Sequence, residues 1–162
     1  MRRKKNTLLW STFLLCLLSF AAMVLILMTG TKPARGEFIP PPFEESAVVG
    51  SPVVPEELGY SELDAEAFKA SLCGVLLPEG DSVGVWLTNP EENTVWLKLR
   101  ILDEKGDLLG ETGLLRPGEY VQSVELSPVP DMGTEVTLKL MAYQPETYYS
   151  EGAVTLSTTI RG

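Results

Sequence analysis

Residues 7–28 read TLLWSTFLLCLLSFAAMVLILM, 22 positions without a charge. At about 1.5 Å per residue this makes a helix of roughly 33 Å, enough to cover a hydrocarbon core of about 30 Å. Arg2, Arg3, Lys4 and Lys5 stand directly before it. Basic flanks are retained on the cytoplasmic side. The stretch therefore predicts a cytoplasmic tail over 1–6, a single transmembrane helix over 7–28 and an extracytoplasmic remainder. Lys32 and Arg35 oppose that orientation, but two charges stand against four. The competing reading is a cleaved signal peptide. Its apolar core usually runs about 7–15 residues before an A-x-A site. This one is longer, and its exit reads Met28-Thr29-Gly30. Cys16 follows Leu15, where lipidation needs a small residue, so it reads as a small apolar side chain. Trp10 suits the interface. Ser19, Ala21 and Ala22 read as ordinary composition of one span rather than as a helix contact.

Charge separates the two ends of the chain. All 22 acidic residues lie beyond position 36, against seven basic ones there, which sets the outer part at −15. Such a field repels nucleic acid. It fits solubility in a crowded envelope; a cationic partner or divalent ions are the alternative.

Residues 29–67 predict a Pro-rich stalk. Pro33, Pro40, Pro41, Pro42, Pro52 and Pro55 punctuate it. Three consecutive prolines favour polyproline II, extended at about 3.1 Å per residue. No hydrophobic period supports a helix or a sheet. The segment reads as a spacer rather than as a ligand for a proline-binding domain. Ser61 with Asp64 forms a weak capping pattern and predicts a short helical turn before Phe68.

From 68 to 162 the pattern changes to period two, broken by turn residues. Phe68, Ala70 and Leu72 alternate with Lys69, Ser71 and Cys73. Val83, Val85 and Leu87 alternate with Ser82, Gly84 and Trp86, until Asn89-Pro90 closes the strand. Val95, Leu97, Leu99 and Ile101 alternate with Trp96, Lys98, Arg100 and Leu102. Val136, Leu138, Leu140 and Ala142 alternate with Thr137, Lys139, Met141 and Tyr143. Short strands at Leu108 and Leu109, from Tyr120 to Leu126, and from Val154 to Ile160 complete the set. About seven strands with regular turns predict an all-β domain over 68–162, an immunoglobulin-like antiparallel β-sandwich. Two sheets would share one core, with Leu99 and Leu138 inside it. A small barrel is the competing architecture.

The residues supply little for catalysis. There is no histidine, which removes histidine triads and imidazole metal ligands. Cys16 and Cys73 are too few for a zinc site. Cys73 stands alone beyond the span, so it reads as a buried thiol rather than as a disulfide or dimer link. Carboxylates are numerous enough for a glycosidase pair, yet most lie in loops or the stalk. The run Asp103-Glu104-Lys105-Gly106-Asp107 lacks the alternating ligands and closing Glu of a calcium loop. It reads as a hairpin turn. No enzymatic activity, cofactor or metal is expected.

The phrases NTVWLKLRILD, LGETGLLRPGEYV and ETYYSEGAVTLSTT, with Glu57 to Tyr60 and Phe68 to Gly74, cover nearly the whole outer part. In them the chain resembles a family of small, single-pass envelope proteins of Gram-positive bacteria, of uncharacterised role. The resemblance implies a shared fold and an envelope setting, and brings no activity with it. Relatives bear the label tRNA uracil-5-methyltransferase. That chemistry needs a cofactor-binding βαβ domain and a catalytic cysteine. Ser71-Leu72-Cys73-Gly74 is only a fragment of such a motif.

One surface is the candidate for binding. Suppose that 94–103 and 135–143 are neighbours, as the C and F strands are in the immunoglobulin order. Trp96, Lys98 and Arg100 then converge with Lys139, Met141 and Tyr143. Aromatics with arginine mark partner-binding surfaces. A ring stacks on a sugar or another ring while the cations hold an anionic group. The plainer alternative is cross-strand packing, with Lys and Arg stems laid over the rings. The expected function is a non-catalytic, membrane-anchored extracytoplasmic module for binding or scaffolding at the cell envelope. Its partners are the membrane, through the N-terminal helix, and an envelope protein or glycan. The alternative is a structural subunit of an envelope or secretion assembly, joined through sheet edges.

Overall fold

The structure is a computed structural model that describes residue 10, residues 13–21, residue 23 and residues 38–162. The predicted basic tail, much of the predicted span and the first part of the predicted stalk lie outside the described residues. The chain divides into two units, Met1–Ile39 and Pro40–Gly162.

In the first unit, residues 13–21 are helical, as are Trp10 and Met23. The Ser19 hydroxyl donates back to the Cys16 carbonyl at 2.9 Å, which satisfies a polar group within an apolar sequence. Phe13, Leu14, Leu15, Leu17, Leu18 and Phe20 are each more than half exposed. At helical spacing these six cover more than half of the circumference, with Cys16 and Ser19 in the remaining sector, an arc wider than the stripe of a surface helix. Among the described residues, no helix is long and apolar enough to cross a membrane.

The second unit holds ten strands: β1 (Val48–Val49), β2 (Tyr60–Asp64), β3 (Lys69–Cys73), β4 (Pro78–Glu79), β5 (Ser82–Asn89), β6 (Trp96–Leu102), β7 (Leu108–Glu111), β8 (Glu119–Glu125), β9 (Glu135–Tyr143) and β10 (Ser150–Thr159). The seven expected strands are all present. The additional ones are β1, β2 and β4. One sheet runs β1-β8-β5-β3-β2, with β4 against β5; the other runs β10-β9-β6-β7. Pairing between the strands is antiparallel throughout. Side-chain alternation then builds the core. Leu97, Leu99 and Ile101 of β6 and Leu138, Leu140 and Ala142 of β9 meet Val83, Val85 and Leu87 of β5. The unit is an all-β sandwich of two sheets over one apolar cluster, with Leu99 and Leu138 inside it at 0% and 2% exposure.

The expected start of the domain at Phe68 moves to Pro40. Extended Pro-rich backbone still carries carbonyls that a neighbour can use. Leu114 N–H donates to the Pro42 carbonyl at 2.9 Å, and Glu44 N–H donates to the Leu114 carbonyl at 3.0 Å. Gly113 permits the approach, because a Cβ there would meet the backbone of Phe43 and Glu44. The expected helical turn at Ser61 and Asp64 is the edge strand β2, paired with β3 along its whole length. Cross-strand pairing overrides the local capping signal. Gly113→Ala is expected to release this first segment alone. Exchange of the Glu44 amide should rise about tenfold or more, while β6 and β9 amides keep their protection. Unchanged exchange at Glu44 would refute the clamp.

Candidate functional site

β6 and β9 are neighbours, and their register sets Trp96 opposite Tyr143, Lys98 opposite Met141 and Arg100 opposite Lys139. These residues share one face, because they alternate with the buried Leu97, Leu99 and Ile101. The candidate residues Trp96, Lys98, Arg100, Lys139 and Tyr143 are therefore brought together, with Met141 between the last two.

Their surroundings differ from an open platform. Trp96 is half-buried between Phe43, at a centroid distance of 4.8 Å, and Tyr148, at 5.2 Å. Both contacts are edge-to-face, the favoured geometry for aromatic quadrupoles. The Arg116 guanidinium lies 3.7 Å over the Phe43 ring, a cation–π contact. Tyr148 arrives from a loop in which Glu146 and Tyr148 take φ of 64° and 58°. The indole thus clamps the 40–46 segment and the 144–149 loop to the sheet. This is the packing alternative for Trp96.

Lys98 and Arg100 converge on Glu111 of β7. The Lys98 ammonium is 2.7 Å from one carboxylate oxygen, and Arg100 Nε is 2.8 Å from the other. The register places Arg100 directly opposite Glu111. Burial pushes the Glu111 carboxyl up. Hydrogen bonds from Lys98 and Arg100, with their charges, outweigh this and hold it below its ordinary value. A carboxyl depressed by folding stabilises the fold above its unfolded pKa, and loses that contribution as pH falls through the folded one. Glu111→Ala leaves Lys98, only 5% exposed, without a counter-charge. The expected cost near neutral pH is about 3 kcal/mol, at the low end for a broken buried pair because Glu111 is partly exposed. Adding Lys98→Met should recover most of it. The gap in denaturant midpoint between wild type and Glu111→Ala should narrow as pH falls below the ordinary carboxyl value of 4.5. A gap independent of pH would reject the charge argument.

Among the described residues, Lys139 has no ion-pair partner. Lys98, Arg100 and Lys139 stand against Glu111 and, at the far end of β9, Glu135, so this face keeps a net positive charge on a strongly acidic unit. Cys73 is fully buried, and burial pushes its thiol up to about 11, which makes it a poor nucleophile at neutral pH. Among the described residues, no group of three or more His, Cys, Asp or Glu side chains is placed to hold a metal ion.

Sequence reasoning missed a groove of about 360 Å³ on the outer face of the other sheet, lined by Trp86. Tryptophan carries no turn signal, and the glycine two positions earlier is the nearest cue. An acidic groove of about 490 Å³ includes Glu44, Glu45, Glu111 and Glu125. Its Glu44 carboxylate is already engaged by Gly113 N–H and by Ser46. Comparison of the chain with protein-family models, curated proteins and solved structures finds no match.

Proposed function

We propose that the chain is a membrane-anchored, extracytoplasmic module that binds or scaffolds at the cell envelope and performs no catalysis. The observation that carries this reading is the cationic face of β6 and β9, where Arg100 stands opposite Lys139 beside Tyr143. Anchoring is supported by the uncharged stretch behind four basic residues. It is also supported by helical residues 13–21, whose exposed apolar side chains cover an arc wider than the single stripe of a surface helix, as suits contact with lipid. Strand order supports an immunoglobulin-like sandwich. Number the seven expected strands in chain order. The first, second and fifth lie in one sheet and the third, sixth and seventh in the other, as A, B, E and C, F, G do, with the third beside the sixth as C lies beside F; the fourth departs from that order and joins the second sheet at the edge beside the third. An envelope protein or glycan bearing an anionic group fits this face. A polymer of high negative charge does not, because the rest of the domain repels it.

The test reverses one charge of this face. Full-length wild type and Lys139→Glu would be cross-linked in membranes and their partners quantified. The wild type should recover a partner that Lys139→Glu loses, and recovery should weaken as salt rises. Recovery that ignores both the substitution and the salt would overturn the reading.

A structural subunit joined through sheet edges is the second reading, and β10 favours it. This ten-residue strand pairs only with β9 among the described residues. From Gly152 to Thr159 it has no Lys, Arg or Pro, the residues that usually blunt a free edge. Only its end is covered, where Leu76 bridges Ile160 and the Thr158 hydroxyl donates to the Gly74 carbonyl at 2.7 Å. Ser157→Lys, at an exposed position opposite the uncharged Thr137, should reduce the assembled mass in light scattering, with stability within about 0.5 kcal/mol of wild type. Equal masses for the two proteins would reject edge assembly.

A further inference from the structure

The sheet opposite the β6/β9 face carries its own aromatic site. In β5, Gly84 pairs with Ser123 of β8, whereas Leu87 pairs with Val121. One extra residue therefore sits in β5, a β-bulge, and such bulges re-aim side chains. Val85 and Leu87 both remain fully buried, and Trp86 is turned outward between them. Its φ is 47°, a left-handed conformation that glycine takes freely and bulky residues rarely adopt. Backbone strain of this kind concentrates at binding sites.

The indole lies back over Gly84, with Nε1 3.8 Å from the point where a Cβ on that glycine would stand. It runs nearly parallel to the Tyr120 ring, at 17° and a centroid distance of 6.3 Å. Bulge, glycine and tyrosine together fix the ring in the groove of about 360 Å³. Pro55, Leu58 and Leu77 give it apolar lining, and Glu79, Gln122 and Ser123 add polar groups.

We infer that this groove binds an uncharged pyranose oligosaccharide, with Trp86 as the stacking platform. One face of an equatorially substituted pyranose presents C–H groups, which pack on the negative face of an indole. Its hydroxyls need a few convergent polar partners, and the volume falls in the lower part of the range of roughly 300–1,000 Å³ for ligand pockets. Charge selects the neutral class. The groove is lined by Glu79 and by no basic residue, so uronic or phosphorylated sugars are repelled. A proline-rich peptide is the other ligand of such surfaces, but it docks in grooves lined by several aromatics. Here Trp86 is the one aromatic residue among those that line the groove. The inference is independent of the β6/β9 face.

The test titrates the full chain with chitotetraose and cellotetraose by calorimetry. Wild type should bind at least one of them. Trp86→Gly should weaken that binding about tenfold or more, a loss of the size expected for one aromatic contact. Glycine accepts the φ at this position, so the backbone keeps its path. Gln122→Ala, at an exposed position, covers the case in which loss of the indole disturbs folding. It should weaken binding while the thermal midpoint stays that of wild type. Absence of binding to both sugars overturns the inference, as does wild-type affinity in either variant. Retention on insoluble chitin or cellulose would identify a polymer as the source of the sugar. Binding of the tetramers alone would identify free oligosaccharides. Either result supports the site.

Discussion

Asn89→Ala is expected to cost about 4 kcal/mol and to lower the thermal midpoint of the sandwich by about 15 °C. Asn89 is fully buried at the end of β5. Its amide nitrogen donates to the carbonyls of Val95 and Leu115, both at 2.9 Å, and its amide oxygen accepts from Asn93 Nδ2 at 2.7 Å. Asn93 in turn holds the backbone of Lys69 in β3, accepting at 3.0 Å and donating at 2.6 Å. One side chain thus links strands of one sheet to the approach of β6 in the other. The Leu115 carbonyl also accepts from Leu97 N–H, so it keeps a partner after truncation. The heavier losses fall on the Val95 carbonyl and on the Asn93 N–H aimed at Asn89, groups that each cost about 1–3 kcal/mol when left unpaired, while Asn93 keeps its bonds to Lys69. Asn89→Asp separates hydrogen bonding from volume. It keeps the shape but turns an acceptor toward two carbonyls and buries a charge. Equilibrium denaturation should find it no more stable than Asn89→Ala. Wild-type stability for Asn89→Asp would show that the side chain only fills space.

The strands with both an apolar and a polar face were legible because each position repeats its neighbour's instruction. Three apolar residues in strict alternation in β6, with Val95 just before it, and four in β9 specify which face is buried, and a one-residue slip would expose all of them. The short edge strand β2 carries no such instruction. Tyr60–Asp64 reads YSELD, with Leu63 packed against the core from its margin. Its place is set by the backbone of β3 rather than by its own side chains. The same holds for residues 40–46. Their prolines suggest a stalk, and the decisive residue is Gly113, far along the chain.

The candidate surface was legible in placement and hidden in its pairing. Adjacency of β6 and β9 follows from two long alternating strands in a sandwich, and it sets the cross-strand pairs directly. Glu111 was not foreseen as their neighbour, because β7 is four residues long and its apolar signal ends at Leu109. Phe43 and Tyr148 reach Trp96 from segments without strand character. Trp86 is hidden differently. Period two predicts that it faces outward, but periodicity says nothing about an extra residue in the ladder or a positive φ.

Leu99→Ala is expected to lower stability by about 4 kcal/mol, in the upper half of the usual range for a buried leucine. The side chain has no exposed surface and stands opposite Leu140 of β9. What sets the size of the loss is how far the walls can close on the vacated space. The main chain at Leu99 is held on both sides. Toward β9 it belongs to an unbroken register of seven pairs. Toward the β7 end, its N–H donates to the buried Thr112 hydroxyl at 3.0 Å and its carbonyl accepts from Thr112 N–H at 3.0 Å. β6 therefore cannot slide inward without breaking hydrogen bonds that no water can replace, and most of the cavity should persist. Leu99→Met conserves volume and should cost less than about 1.5 kcal/mol. A domain of this kind has only about 5–15 kcal/mol in total, so Leu99→Ala should melt about 15 °C lower while Leu99→Met stays close to wild type. Equal midpoints for Leu99→Ala and wild type would mean that Leu99 does not face the core and that the register of β6 is wrong.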